Sequence, residues 1–187
     1  ILRDPVHMDD VDYLISESTY GGRIHDKSEE MTGQLAEVVN NAAANCGKII
    51  IPAFSVGRTQ EIVYALNELF KKNAIPRIPV FVDSPLSINA TEVFKLHPDC
   101  FDEETSELIA SGVDVFGLSN VTYIRSVEDS KKLNNFNECC IIISASGMCE
   151  GGRILHHLKN NIENYKTTVL IVGFMAEHTL GRRLVEA

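Results

Sequence analysis

The sequence predicts an α/β fold: a doubly wound, Rossmann-like parallel sheet with helices on both faces. Three observations carry this. Short runs that are apolar along their length recur at 48–52, 79–82, 121–124, 140–143 and 168–172. Between them lie stretches whose apolar residues fall at helical spacing. Small polar residues gather where the apolar runs end. Strands buried on both faces need helices on both sides, and right-handed crossovers make such a layer doubly wound.

The elements follow in order. Residues 12–17 read as a first buried strand that delivers Glu17 to its exit, ahead of the turn Ser18-Thr19-Tyr20-Gly21. Asp26 and Glu29 have the spacing of a helix cap. Met31, Leu35, Val38, Val39 and Ala42 then form one helix face that stops at Gly47. The strand 48–52 opens into Ala53-Phe54-Ser55-Val56-Gly57-Arg58, and a second helix carries Ile62, Val63, Leu66, Leu69 and Phe70 on one stripe. The strand 79–82 ends at Asp83-Ser84-Pro85. Helices are expected over 87–97, broken by Pro98, and over 103–111, capped by Gly112. After the strand 121–124, Ser126 caps a short helix through Leu133. The strand 140–143 ends in Ser144-Ala145-Ser146-Gly147-Met148, and a helix follows over 152–162. The strand 168–172 runs into Gly173-Phe174-Met175-Ala176-Glu177-His178 and a final helix. No repeat or linker interrupts the alternation, so one domain spans 1–187. The chain begins at Ile1 and ends in a helix-like run, so an excerpt from a longer protein is expected.

A chain of 187 residues can bury a sizeable core, and 44% hydrophobic with 23% charged residues is ordinary for a soluble globular protein. No apolar run reaches bilayer length, so no membrane partner is expected, and the amino terminus lacks a secretory pattern. The net charge of −9 argues against electrostatic coating of nucleic acid. Acids at 102–104 and 128–129 sit at helix starts, where they complement the helix dipole, so total charge decides nothing about one cleft. The five cysteines, Cys46, Cys100, Cys139, Cys140 and Cys149, are odd in number and irregular in spacing. Reduced thiols in a cytoplasmic protein are the expectation.

In open parallel sheets, ligands bind where the strand-exit loops gather. Here those loops hold Ser16 to Gly21, Ser55 to Arg58, Asp83-Ser84, Ser144 to Arg153 and Glu177 to Arg182. Small residues allow close backbone approach, helix starts favour anions, and Arg58, Arg153 and Arg182 offer charge, a setting for a phosphate-bearing ligand. Plainer readings stay open: Gly21 and Gly57 as turn residues, Arg153 and Arg182 as solvated helix residues, Glu17 as a loop cap. There is no G-x-S-x-G elbow, phosphate loop, dinucleotide fingerprint or zinc motif. His156 and His157 splay by about 100° on a helix, which suits packing or substrate contact better than one shared metal.

Taken together, Glu17-Ser18-Thr19-Tyr20-Gly21, Pro52-Ala53-Phe54-Ser55-Val56-Gly57-Arg58, Asp83-Ser84-Pro85-Leu86, Ser144-Ala145-Ser146-Gly147-Met148 and Thr179-Leu180-Gly181-Arg182 resemble the β-CASP domain. That domain is inserted into metallo-β-lactamase-fold nucleases, and the run from Gly151 to Leu158 is most similar to bacterial members. The resemblance implies a zinc-dependent ribonuclease that hydrolyses RNA phosphodiester bonds. This chain would be its substrate-binding lid, inert alone, with the zinc ligands outside it. It implies Glu17 as the acid that orients a histidine outside the chain. It also implies substrate contacts at Ser18, Thr19, Tyr20, Ser55, Arg58, Ser146, Gly147, Arg153, Glu177, Thr179 and Arg182. The partners expected are RNA, the protein's own metallo-β-lactamase domain and a second copy of itself. One departure is visible: Glu177-His178-Thr179-Leu180 stands where members of the family usually have Glu-Gly-Thr-Leu. Two other functions remain in view, a non-catalytic RNA-binding module and a Rossmann-like nucleotide or sugar-phosphate binder.

Overall fold

The computed structural model describes residues 1–22, 24, 28–117 and 120–187, with Ser28 and Glu29 described by their backbone alone. Helix α1 (Ser28–Ala44) leads into strand β1 (Lys48–Pro52), and α2 (Arg58–Lys71) into β2 (Val80–Val82). Helices α3 (Pro85–Leu96) and α4 (Glu103–Ala110) precede β3 (Val121–Tyr123) and α5 (Val127–Lys132). Then come β4 (Cys140–Ser144), α6 (Ile154–Asn161), β5 (Thr168–Val169) and α7 (Leu180–Glu186). The strands form one all-parallel sheet in the order β3-β2-β4-β1-β5, the predicted doubly wound class.

The isoleucine runs explain the layering. β1 and β4 lie side by side in register, Ile49 opposite Ile141 through Ile51 opposite Ile143. Because side chains alternate across a strand, Ile49, Ile51, Ile141 and Ile143 face one way with Val80 and Val82. They pack under Val39 of α1 and Ile62, Leu66 and Phe70 of α2. Ile50 faces the other way onto Ile154 and Leu158 of α6, while Cys140 and Ile142 meet Ile124 and Leu133.

The expected caps on the later helices form. Ser126 accepts from the Asp129 N–H, and Gly112 has φ 84°, the left-handed turn that glycine tolerates. Asp102 and Thr179 cap α4 and α7 in the same manner as Ser126. The expected cap of Asp26 and Glu29 lies outside the described residues.

Three expectations need correction. Residues 12–17 form no strand: Tyr13 is 93% and Ile15 98% exposed, and no described strand pairs with them. An apolar run becomes a strand only against a neighbour that accepts its hydrogen bonds and side chains, and neither sheet edge reaches this one. The last strand is shorter than 168–172. Leu170 donates to Ile50 O (2.9 Å), and the next ladder bond would need a donor at Pro52, which has no N–H. Finally, α6 starts at Ile154 instead of 152. Gly152 has φ 80°, and a Cβ there would lie 2.3 Å from Ala145 O, so the chain turns tightly before it can enter the helix.

Candidate functional site

The strand exits of β1, β2, β3, β4 and β5 share one edge, and short bonds lace their loops together. Ala53 donates to Ser144 O (3.0 Å), Asp83 to Ile143 O (2.8 Å) and Ile124 to Val82 O (3.0 Å). Ser55 and Ser84 share a hydroxyl hydrogen bond of 3.2 Å across the β1 and β2 exits. Ser84 also caps α3, accepting from Ser87 N–H with Pro85 in the first turn. On the far side, Gly181 N–H donates to Met148 O (3.0 Å), and the Glu150 carboxylate accepts from Leu180 N–H.

The β4–α6 loop, residues 145–153, is the most constrained of these. Ser146 N–H donates to Gly151 O (3.0 Å), and Ser146 Oγ accepts from Glu150 N–H (3.1 Å). The Ala145–Ser146 peptide is cis. Gly147 lies against Phe54, whose ring carbon would be 2.9 Å from any Cβ at that position. Glycine therefore lets the β1 and β4 exits close on each other. Phe54 itself is 50% exposed beside that contact.

A buried ionic cluster anchors the same loop. The Asp83 side chain is completely buried at the β2 exit, and Arg153 Nη1 reaches its Oδ1 at 2.7 Å. Ser130 Oγ of α5 donates to Oδ2 at 2.6 Å, and His157 Nε2–H of α6 donates to the same oxygen at 2.6 Å. Arg153 completes its fork with Ile124 O (3.2 Å) and Arg125 O (2.7 Å). Burial pushes the Asp83 carboxyl up, but the donors from His157, Ser130 and Arg153 outweigh it and hold the pKa below the ordinary range. Asp83 is thus an anion that joins four segments. Sequence reasoning placed Asp83 in the polar loops but did not make it a site residue. Its signal was a lone acid ending an apolar strand just before the Ser-Pro helix start. Of the two adjacent histidines, His157 takes the buried position and His156 is exposed.

The expected site residues divide by environment. Ser55, Ser146 and Gly147 lie together at the β1 and β4 exits, and Thr179 caps α7 nearby. Glu177 is exposed. Among the described residues, Arg58 and Arg182 pair with Glu61 (2.7 Å) and Glu186 (2.6 Å) on their own helices, at the surface. Arg153 is turned inward. Glu17 is fully exposed, not buried; it accepts from its neighbour Thr19 N–H at 2.8 Å. The Thr19 backbone and hydroxyl hydrogen bonds lower its pKa, keeping it an ionised acceptor. Ser18 and Thr19 are exposed beside it, and Tyr20 meets Phe174 of the β5 exit edge-on, with ring centroids 6.2 Å apart.

Among the described residues, no three His, Cys, Asp or Glu side chains converge as a metal site requires, so these residues do not fit a zinc ion. The five cysteines are free, and burial pushes Cys140 up to about 12 and Cys149 to about 11, leaving both as inert thiols. No described helix is long and apolar enough to cross a membrane.

Comparison with known proteins adds the following. The family model described as Beta-Casp domain matches residues 59–184. The ribonuclease TTHA0252 of Thermus thermophilus is 32% identical over 188 residues, covering 99% of this chain and 42% of its own length. An RNase J-like protein of Methanocaldococcus jannaschii is 34% identical over 181 residues, covering 96% of this chain and 41% of its own. The transcription termination factor FttA of Methanosarcina mazei is 32% identical over 177 residues, covering 93% and 28%. The chain spans less than half the length of each of these relatives.

Proposed function

From the premise that this chain belongs to the Beta-Casp domain family, we propose that it forms the substrate-binding wall of a zinc-dependent ribonuclease. The reaction is hydrolysis of RNA phosphodiester bonds. The zinc ligands belong to a metallo-β-lactamase domain elsewhere in the full-length protein, and the protein works in the cytoplasm, with a second copy of itself as a further partner.

The observation that supports this best is the shared edge, where small donors and helix starts from separate strands line one surface. Ser55, Ser146 and Gly147 offer backbone or hydroxyl donors to phosphate, and Arg58 and Arg182 offer charge. Thr179 contributes by capping the start of α7, its own N–H and hydroxyl both donating to Ala176 O (3.3 and 2.7 Å). Surface ion pairs of the kind these arginines make are worth only about 0–1 kcal/mol, so each can release its glutamate for a phosphate. Ser18, Thr19, Tyr20 and Glu177 are the further substrate contacts of this reading, Tyr20 being tied to the β5 exit through Phe174. Arg153 belongs to this wall through the loop it closes, its guanidinium being turned onto the buried Asp83. Glu17 serves as an ionised acceptor that orients a proton-donating histidine outside this chain.

The full-length protein supplied with zinc is expected to cut single-stranded RNA. Glu17→Gln is expected to lower activity by about 10–100-fold, as loss of an orienting partner does. Full activity in that variant would contradict the role of Glu17. Tight RNA binding without cleavage in the wild type would instead favour the non-catalytic RNA-binding reading.

A further inference from the structure

We propose that Arg153 is a positioning residue and not a contact to the substrate: held by Asp83, it fixes the 145–153 loop so that Ser146 and Gly147 present their donors. The assignment rests on the RNA-binding reading above. Its grounds are geometric. Arg58 and Arg182 each hold one surface carboxylate of their own helix, whereas Arg153 is 18% exposed and bonds an anion with no exposure. Its two Nη atoms donate to Asp83 Oδ1 (2.7 Å), Ile124 O (3.2 Å) and Arg125 O (2.7 Å), which turns that end of the guanidinium inward. To reach a phosphate it would have to abandon a buried carboxylate, which is far costlier than leaving a surface pair.

The neighbouring bonds show what the clamp holds. Arg153 immediately follows Gly152, whose tight turn against Ala145 O closes the loop that carries Ser146 and Gly147. Asp83 sits on the β2 exit, and its second oxygen is held by Ser130 of α5 and His157 of α6. The arginine thus ties the end of the β4–α6 loop to the β2 and β3 exits at once. Shifting it would let Ser146 and Gly147 move away from Ser55 without removing any group that touches RNA. The sequence reading grouped Arg153 with the phosphate contacts because position in a loop does not reveal which way a long side chain turns.

Two variants of the full-length protein test this on single-stranded RNA. Asp83→Asn/Arg153→Gln removes both charges together, so neither is left buried alone. Arg153→Lys keeps the charge but not the three-acceptor fork. In both, KM is expected to rise about tenfold, the scale of one charged hydrogen bond, with kcat within about twofold. The slope of log binding constant against log salt is expected to match the wild type in the double variant. A slope smaller by about 0.7, one released counterion per lost phosphate contact on a single strand, would make Arg153 a direct contact and overturn the proposal. An unmoved KM in either folded variant would overturn it equally. If the double variant does not fold, Arg153→Lys decides alone through KM. A wild-type protein that neither binds nor cuts RNA defeats the functional reading, whereas a competent wild type with unmoved variants defeats this assignment only.

Discussion

At the residue scale, the site depends on two departures from easy chemistry. His178 stands at φ 68°, a left-handed conformation that costs a side-chain-bearing residue about 1–2 kcal/mol. His178→Gly is therefore expected to stabilise the protein by about 1 kcal/mol, read as a higher urea-unfolding midpoint. An unchanged or lower midpoint would show that the imidazole makes compensating contacts. Asp83 is the other departure. Its folded pKa lies below the ordinary 3.8, so its contribution is fully present above that value and is lost as pH falls through the lowered folded pKa. Asp83→Asn leaves Arg153 buried without its anion and is expected to cost about 3–5 kcal/mol near neutral pH. It should also flatten the acid limb of stability below pH 3.8, measurable as urea midpoints across pH. Neither departure could be sized from sequence. The His178 position was noticed, but its φ is a property of the folded turn. The partners of Asp83, Ser130 of α5 with Arg153 and His157 at the start of α6, lie far from it in sequence, and only the sheet order brings them together.

At the element scale, what the sequence states locally was legible. The isoleucine strands, the Ser126 cap and the Gly112 stop all depend on neighbours in the chain, and they form as read. What failed depended on distant partners. Residues 12–17 have the composition of a strand but no ladder among the described residues, and β5 ends early because the strand beside it turns to proline. The 145–153 loop gives a contrast between adjacent glycines. A Cβ at Gly151 would meet nothing within 4 Å, while one at Gly152 would strike Ala145 O at 2.3 Å with φ at 80°. Gly151→Ala is expected to stay within about 0.5 kcal/mol of wild type. Gly152→Ala is expected to lose more than about 1–2 kcal/mol, and to weaken RNA binding because Ser146 and Gly147 ride on that turn. Equal unfolding midpoints for the two variants would contradict this account of the loop.

At the scale of the whole molecule, the net charge of −9 bears on the proposed RNA binding, which confines recognition to one edge. Acids at helix starts, such as Asp102 of α4 and Glu128-Asp129 of α5, answer the helix dipole. Beside the carboxylates of Glu17, Glu150 and Glu177, the edge holds neutral donors and the surface arginines Arg58 and Arg182, whose ion pairs are weak. The most direct test of this arrangement is the salt dependence of single-stranded RNA binding by the full-length protein, wild type against Arg58→Gln/Arg182→Gln. With both arginines on phosphates, the slope of log binding constant against log salt should shrink by about 1.4, or about 0.7 for each contact. A slope and affinity equal to the wild type's would contradict the claim that RNA lies along this edge.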